Sequence, residues 1–448
     1  MSFIINICFF VRSTLIFKKT AFFLSLNTSY YCIIYLVFLL VSSCTENSIL
    51  KEYDNKNVIH ISQISDIMYS KYSDYYEDLK FIHLETKEDC LIGRIDKLLA
   101  HNGFFFILDQ VESKGVFVFD DKGKFITKIG GIGRGPGEFA EPNDIAIDKK
   151  RNEFLVWSND DRKLLFYDLD NFKYLRSITL PIYAKTIAVL DNKTYALYAD
   201  LGNDNLNRSM DHNLYLVTEE GVIVNKGLPI QEKNYGQGGF HFFNEFNNRL
   251  QISPAYNNTI HSVTRDSLIS KYEFDFANFS IPEELFLQEK YKFLRELKTS
   301  DYAYLRNYFE LSNYLLFSFV RKGLIYNGYF SKETGKIMYS NFPVNDIKNI
   351  ISGSIIATYD DNHIISYYDP ANVGYLQELI TFPINRELVQ KKNLEAFKML
   401  NFDIRESVNS IEKMDSIIFS YTKRDIDYLQ NIDPSSNPIL IINKLKEF

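Results

Sequence analysis

Short runs of β-branched and aromatic residues alternate with Asp, Asn and Gly turns from about residue 57 onward, a pattern that predicts strands joined by tight turns. Gly103–Asp109 (GFFFILD) is followed by Gly115–Gly130 (GVFVFDDKGKFITKIG). Within the latter, Val116–Phe119 and Phe125–Ile129 read as strands around the hairpin turn Asp120-Asp121-Lys122-Gly123. The plan then repeats. Asn143–Asp148 leads to Glu153–Ser158 and Lys163–Leu180, Thr186–Ala199 leads to Asn213–Leu228, and Phe240–Pro254 leads to Asn258–Phe276. A fifth copy fits Tyr314–Ser340, a sixth begins at Gly353–Asp369, and the last strand is Asn437–Lys446.

Units of four strands recurring every ~40 residues are the signature of propeller blades. One blade cannot bury both of its faces, so blades stack around a channel. The expected fold class is therefore all-β, a six-bladed β-propeller closed by pairing of N- and C-terminal strands, with small helical insertions. An open ring would expose two sheet edges. Asn57–Ile64 (NVIHISQI) is the first strand of the domain, and it is expected to close the ring by joining the blade that holds the last strand. Helical spacing appears in Ile281–Lys298, after a Ser280-Ile281-Pro282 start, and residues 384–430 read mainly as helix and loop.

Lys128–Asp148 (KIGGIGRGPGEFAEPNDIAID) places five glycines within residues 130–137. A P-loop would need Gly-Lys-Ser/Thr at its end, but Gly135 is followed by Pro136. A dinucleotide loop would need G-x-G-x-x-G opening a helix, and here the third Gly is misplaced and a strand follows. A turn accounts for more. The glycines permit positive φ and close backbone approach, Pro136 sets up a turn at Gly137, Phe139 tucks between blades, and Pro142 sets the entry into the inner strand.

The pattern G-x-G-x-G-P-G-E-F-x-x-P-N-D-I-A-I-D resembles the NHL-type propeller repeat. The wider chain, over nearly all of residues 57–448, resembles the six-bladed β-propeller lipoproteins of Gram-negative bacteria. Phe81–Leu98 (FIHLETKEDCLIGRIDKL), GFFFILD, GKFITKIGGIGRGPGEF and the NPILIINKLK terminus carry the match. The third and fourth units depart from it, since they lack the glycine signature. The resemblance implies a fold and an address more than a chemistry.

That address agrees with the first 43 residues, which hold no Asp or Glu and only Arg12, Lys18 and Lys19 as bases. Basic residues, then an apolar run, then Val41-Ser42-Ser43-Cys44 read as a lipoprotein signal peptide over 1–43, with Cys44 as the lipidation site. An uncleaved membrane helix is the alternative for the apolar run, opposed by Asn27, Thr28 and the cysteine. Residues 44–56 are then a polar tether, and 57–448 the propeller. The expected localisation is the cell envelope, at the outer membrane, with the domain periplasmic or surface-exposed. Removing the three leader bases from 50 Lys+Arg leaves 47 against 57 Asp+Glu, a formal net charge of −10. A nucleic-acid partner needs a basic face, so none is expected. With Cys44 acylated, Cys90 lacks a disulfide partner.

Chemistry is sparse. His60, His83, His101, His212, His241, His261 and His363 form no H-E-x-x-H, and no C-x-x-C is present, so no metal and no cofactor are expected. Asp109, Asp144, Asp148, Asp160, Asp161 and Asp168 lie at strand ends, where Asp normally caps a turn. The most suggestive polar set is Arg134, Glu138, Asn143 and Asp144, at the hand-over between blades, as a ligand-binding group. The Gly-rich aromatic stretch Glu232–Phe243 is a second candidate, placed over the channel. The expected function is a lipid-anchored envelope module binding a small molecule, glycan or protein. A propeller lyase or hydrolase acting on glycans, and a structural subunit of an envelope complex, are the alternatives.

Overall fold

The computed structural model describes residues 48–447, apart from 67, 192, 200–202, 204–209, 231–242, 348–352, 354 and 373–430. The signal segment, Cys44, most of the 232–243 loop and the 384–430 helical stretch thus lie outside the described residues.

Six antiparallel sheets form the six blades of a β-propeller. From inner to outer strand, blade 1 is Lys97–His101, Phe104–Asp109, Gly115–Asp120 and Phe125–Ile129. Blade 2 is Asp144–Asp148, Glu153–Ser158, Lys163–Asp168 and Tyr174–Thr179. Blade 3 is Ala184–Asp191, Thr194–Ala199, His212–Thr218 and Ile223–Pro229, and blade 4 is Phe243–Phe246, Arg249–Ile252, Thr259–Val263 and Ser267–Asp275. Blade 5 is Ala303–Glu310, Tyr314–Arg321, Leu324–Ser331 and Ile337–Ser340. Blade 6 is Ala357–Thr358, His363–Tyr368, Ile439–Leu445 and Tyr76–His83.

The middle strands are buried on both faces, as in LLFSFV of blade 5, because each sheet is covered by a neighbour on either side. Every pair of successive blades encloses its own apolar cluster. Phe106, Val118, Phe154 and Leu165 join blades 1 and 2. Trp157, Phe166, Leu197 and Tyr215 join blades 2 and 3, and Leu216, Leu250 and Val263 join 3 and 4. Phe274 meets Phe317 between 4 and 5, Leu316 meets Ile441 between 5 and 6, and Leu440 meets Phe105 between 6 and 1. The sixth cluster returns to the first blade, so the ring is closed.

Closure does join an N-terminal to a C-terminal strand, but the strand differs from the expected one. Tyr76–His83 pairs antiparallel with Ile439–Leu445, in the register Leu440↔Ile82 and Ile442↔Lys80. Residues 57–64 do not take part. Instead Lys51–His60 lies parallel to Ser267–Asp275 as a fifth, outermost strand of blade 4. Residues 51–54, expected as part of the tether, are therefore paired with blade 4.

This N-terminal stretch continues as a belt around the rim. Leu50 N–H donates to the Lys226 carbonyl of blade 3 at 2.8 Å. The Gln63 and Ser65 carbonyls accept from the hydroxyls of Tyr339 and Tyr326 in blade 5, at 2.8 and 2.9 Å. Tyr69–Lys71 then pairs in parallel with Phe342–Val344, and the chain turns through a short helix, Tyr72–Tyr75, into blade 6.

The glycine stretch is a turn between blades. Gly130 and Gly137 adopt φ of +63° and +76°. A side chain at Gly130 would meet Phe139 at 2.6 Å. Phe139 is fully buried in the cluster between blades 1 and 2, as expected, and Tyr167 Oη donates to the Gly137 carbonyl at 2.9 Å. The helical spacing after Pro282 becomes a 3-10 turn, Glu283–Leu287, and an α-helix, Lys290–Thr299. Leu285, Phe293 and Leu297 pack there on Tyr256. Among the described residues no helix is long and apolar enough to cross a membrane.

Candidate functional site

Crossovers enter the inner strands at one end of the channel, and the Gly130–Pro142 loop is one of them. Three of the four residues singled out there have structural partners. Glu138 accepts the Gly135 N–H at 2.7 Å and braces its own loop. Asn143 accepts the Asn159 N–H at 2.7 Å, and Asn159 in turn accepts the Ala184 N–H at 2.8 Å, so a short relay runs from blade 2 to blade 3. Arg134 is exposed on the loop and makes no ion pair among the described residues.

Asp144 is buried at the first position of the inner strand of blade 2. Lys97 Nζ of blade 1 donates to its Oδ1 at 2.6 Å. Its Oδ2 accepts the Thr186 hydroxyl and, at 2.8 Å, the Ile187 N–H of blade 3. One carboxylate thus ties three blades together at the channel wall. Asp144, Asn143 and Glu138 lie close along one crossover, but only Arg134 offers a charge that is not already bonded.

Other strand-end carboxylates cap turns. Asp109 accepts the N–H groups of Gly93, Arg94 and Glu112 and the Ser113 hydroxyl. Asp168 accepts those of Asp170 and Asn171. Cys90 is a buried free thiol that donates to the Glu85 carbonyl at 3.1 Å. Among the described residues no three His, Cys, Asp or Glu side chains come together as a metal set.

The channel itself holds a cavity of about 190 Å³ lined by all six inner strands. Its wall mixes apolar side chains, with Leu99, Ala146, Ile187, Phe243, Phe309 and Ala357 contributed by successive blades, and a nearly equal polar surface. Polar groups interrupt it near its ends. Lys97 pairs with Asp144 as described. Lys149 pairs with Glu245 at 3.1 Å. Glu310, whose carboxylate is almost fully buried, receives Lys271 at 2.6 Å, Lys332 at 2.7 Å, Tyr272 Oη at 3.0 Å and the Gln251 amide. Burial alone would push the Glu310 carboxyl up, but these donors outweigh it and hold the group below the usual range.

None of Lys97, Thr186, Lys149, Glu245 and Glu310 was singled out from sequence. Each sits at or beside an inner-strand end, where charged residues are indistinguishable from ordinary turn residues. Only the closure of the ring brings them together.

No curated protein matches the chain in sequence. In fold it is similar to the crystal structure of a Bacteroides fragilis protein described as exported, at TM-score 0.66 and 18% identity, over 87% of this chain and 100% of the other. It is also similar to a member of the DUF4221 family from Bacteroides vulgatus, at TM-score 0.43 and 11% identity, over 60% of this chain and 86% of the other. A family model described as a domain of unknown function, DUF4934, matches residues 56–412, most of the propeller, and the chain belongs to that family.

Proposed function

We propose that the protein is a lipid-anchored binding module of the cell envelope, with Cys44 carrying the lipid and the propeller receiving a small-molecule, glycan or protein partner at a channel mouth. The observation that carries this reading is the state of the charged groups in the channel wall. Lys97, Lys149, Glu245 and Glu310 each already have an oppositely charged partner. General acid–base or nucleophilic catalysis needs a group poised to exchange a proton or attack, and such saturated pairs are poorly placed for either. A concave cavity that combines apolar side chains with a few fixed polar groups is the ordinary form of a binding site.

The fold similarity to a protein described as exported supports an address outside the cytoplasm. In this reading the first paired strand, Ser48–Ile49, follows Cys44 closely in sequence. Arg134, with Glu138, Asn143 and Asp144 behind it, offers an anion-seeking charge on the glycine-loop face.

The test has two arms. Cells expressing the full chain or Cys44→Ala are labelled with radioactive palmitate and fractionated. Label and membrane association should both be lost in the variant, and retention of both would sink the anchor. The purified chain is then screened by thermal shift against sugars, amino acids and short peptides. At least one class should raise the melting temperature, and a flat response to all of them would remove the binding reading.

A further inference from the structure

At the channel end away from the glycine loop, one ion pair differs from the rest. Lys97–Asp144, Arg151–Glu219, Arg265–Asp191 and Lys271–Glu310 each join neighbouring blades. Lys149 Nζ, just beyond the inner strand of blade 2, instead reaches Glu245 Oε1 on the inner strand of blade 4 at 3.1 Å, passing over blade 3. Both side chains line the cavity together with Ile187, Ala188 and Val189 of blade 3. The pair therefore spans the mouth of the channel.

The two charges stand on fixed supports. Asp148 accepts the N–H groups of Lys150 and Arg151 at 3.1 Å, and Arg151 reaches Glu219 of blade 3 at 3.1 Å, which pins the turn carrying Lys149. Asn244 Nδ2 donates to the Tyr308 carbonyl at 2.8 Å, which holds the strand carrying Glu245 beside blade 5. The pair itself is loosely held: Lys149 is 50% and Glu245 37% exposed. Exposed pairs of this kind contribute about 0–1 kcal/mol, so parting them costs little.

We propose that this mouth binds a small zwitterion with an apolar body, an apolar α-amino acid by chemical class. Its carboxylate meets Lys149, its ammonium meets Glu245, and its side chain enters the cavity. A singly charged ligand would strand one of the two protein charges, whereas a zwitterion replaces one ion pair with two. The cavity of about 190 Å³ lies below the ~300–1,000 Å³ of drug-sized sites, which suits a single amino acid better than an oligosaccharide. His101 senses the same pair. Burial and Lys149 lower its pKa while Glu245 raises it, and the net lowering keeps the ring neutral at pH 7, so it leaves the charge balance of the mouth intact. The inference rests on reading the propeller as a binding module, but neither on the anchor nor on the glycine loop.

Calorimetry on the full chain tests it with L-leucine, leucinamide, which keeps only the ammonium, and 4-methylpentanoate, which keeps only the carboxylate. Leucine should bind at least ~10-fold more tightly than either analogue, a difference of about 1.4 kcal/mol. Lys149→Ala should weaken leucine by a similar factor while strengthening leucinamide, because leucinamide would no longer have to part Glu245 from Lys149. The exchange Lys149→Glu with Glu245→Lys should restore leucine binding with the ligand reversed. Melting curves of the variants should overlay the wild type, separating lost contact from lost fold. Equal affinity for leucine and 4-methylpentanoate, or no effect of Lys149→Ala on leucine, would overturn the proposal. If leucine is silent while a sugar or peptide stabilises the chain, the zwitterion site is wrong and the binding module stands. If nothing binds, both fail.

Discussion

Leu50 occupies the space that a side chain at Gly227 would need: a Cβ built on Gly227 would stand 2.9 Å from Leu50 Cδ1. Leu50 is buried among Leu228, Val263 and Leu268, on the rim where blades 3 and 4 meet. The missing side chain on one strand and the large one on the belt are complementary, and together they fasten the start of the belt. Leu50→Ala should destabilise the protein by about 2–4 kcal/mol, the range for truncating a buried leucine. Protease sensitivity should appear first within residues 49–60. Chemical unfolding followed by the emission of Trp157, the single and fully buried tryptophan, measures the first effect, and limited proteolysis with mass mapping measures the second.

Asn437 locks the ring at its seam. Its side chain accepts the Ile92 N–H at 2.8 Å and donates to the carbonyls of Glu85 and Cys90 at 2.8 and 2.7 Å. Asn437 is buried, so removing the amide takes a partner from the Ile92 N–H and the Cys90 carbonyl, while the Glu85 carbonyl keeps the Cys90 thiol. Each such group costs about 1–3 kcal/mol. Asn437→Ala should therefore lose about 2 kcal/mol or more, and Asn437→Asp at least as much, since its buried carboxylate would face the Glu85 and Cys90 carbonyls with no proton to donate. A urea titration of the two variants beside the wild type checks the ranking.

The repeating blades were legible because their middle strands are covered on both faces, which leaves long apolar runs such as Phe104–Asp109 and Tyr314–Arg321 in the sequence. Phe139 was legible for a related reason: one aromatic among glycines has only an inter-blade gap to fill. The belt was not. Asn57–Ile64 and Tyr76–His83 both alternate, and nothing local says which of them meets Ile439–Leu445. That choice depends on how the intervening residues wrap blade 5, through contacts such as Tyr326 to Ser65. Asp144 was visible as a candidate, but its partners Lys97 and Thr186 come from other blades. Lys149 and Glu245 looked like solvated turn charges until the ring placed them across one opening.

Asp144 distinguishes a structural from a ligand-binding role for the glycine-loop face. Its carboxylate joins Lys97, Thr186 and Ile187 in a buried setting. Asp144→Ala leaves the half-buried Lys97 without its partner and the buried Ile187 N–H without an acceptor, which should cost about 2–4 kcal/mol, below the full penalty for breaking a wholly buried pair. Lys97→Met with Asp144→Leu removes both charges and should recover much of that loss. The melting temperatures of the single and double variants decide the matter. A single variant as stable as wild type would mean that Asp144 is not a structural tie and is free to serve a ligand.

His261 makes stability fall with acid between neutral pH and about pH 4. It lies on the third strand of blade 4, within the electrostatic reach of Asp54 and Lys56 on the belt. Its Nδ1 meets Ser270 Oγ at 3.2 Å, and its Nε2 is buried with no partner among the described residues. Burial disfavours the charged ring and lowers its pKa from 6.5 to about 4, with Asp54 raising and Lys56 lowering it further. The unfolded chain takes up the proton near pH 6.5 and the folded chain resists until about pH 4, so the unfolded state gains stability throughout that interval. The slope is about 1.4 kcal/mol per pH unit at most, and the loss levels off below pH 4. Carboxylates that titrate in the same range are shared by wild type and His261→Asn, so the difference between the two isolates the histidine. Melting curves from pH 7.5 to 4 should diverge from about pH 6.5 downward, with the wild type losing stability faster. Parallel curves would show that the ring is not buried as a neutral group beneath the belt.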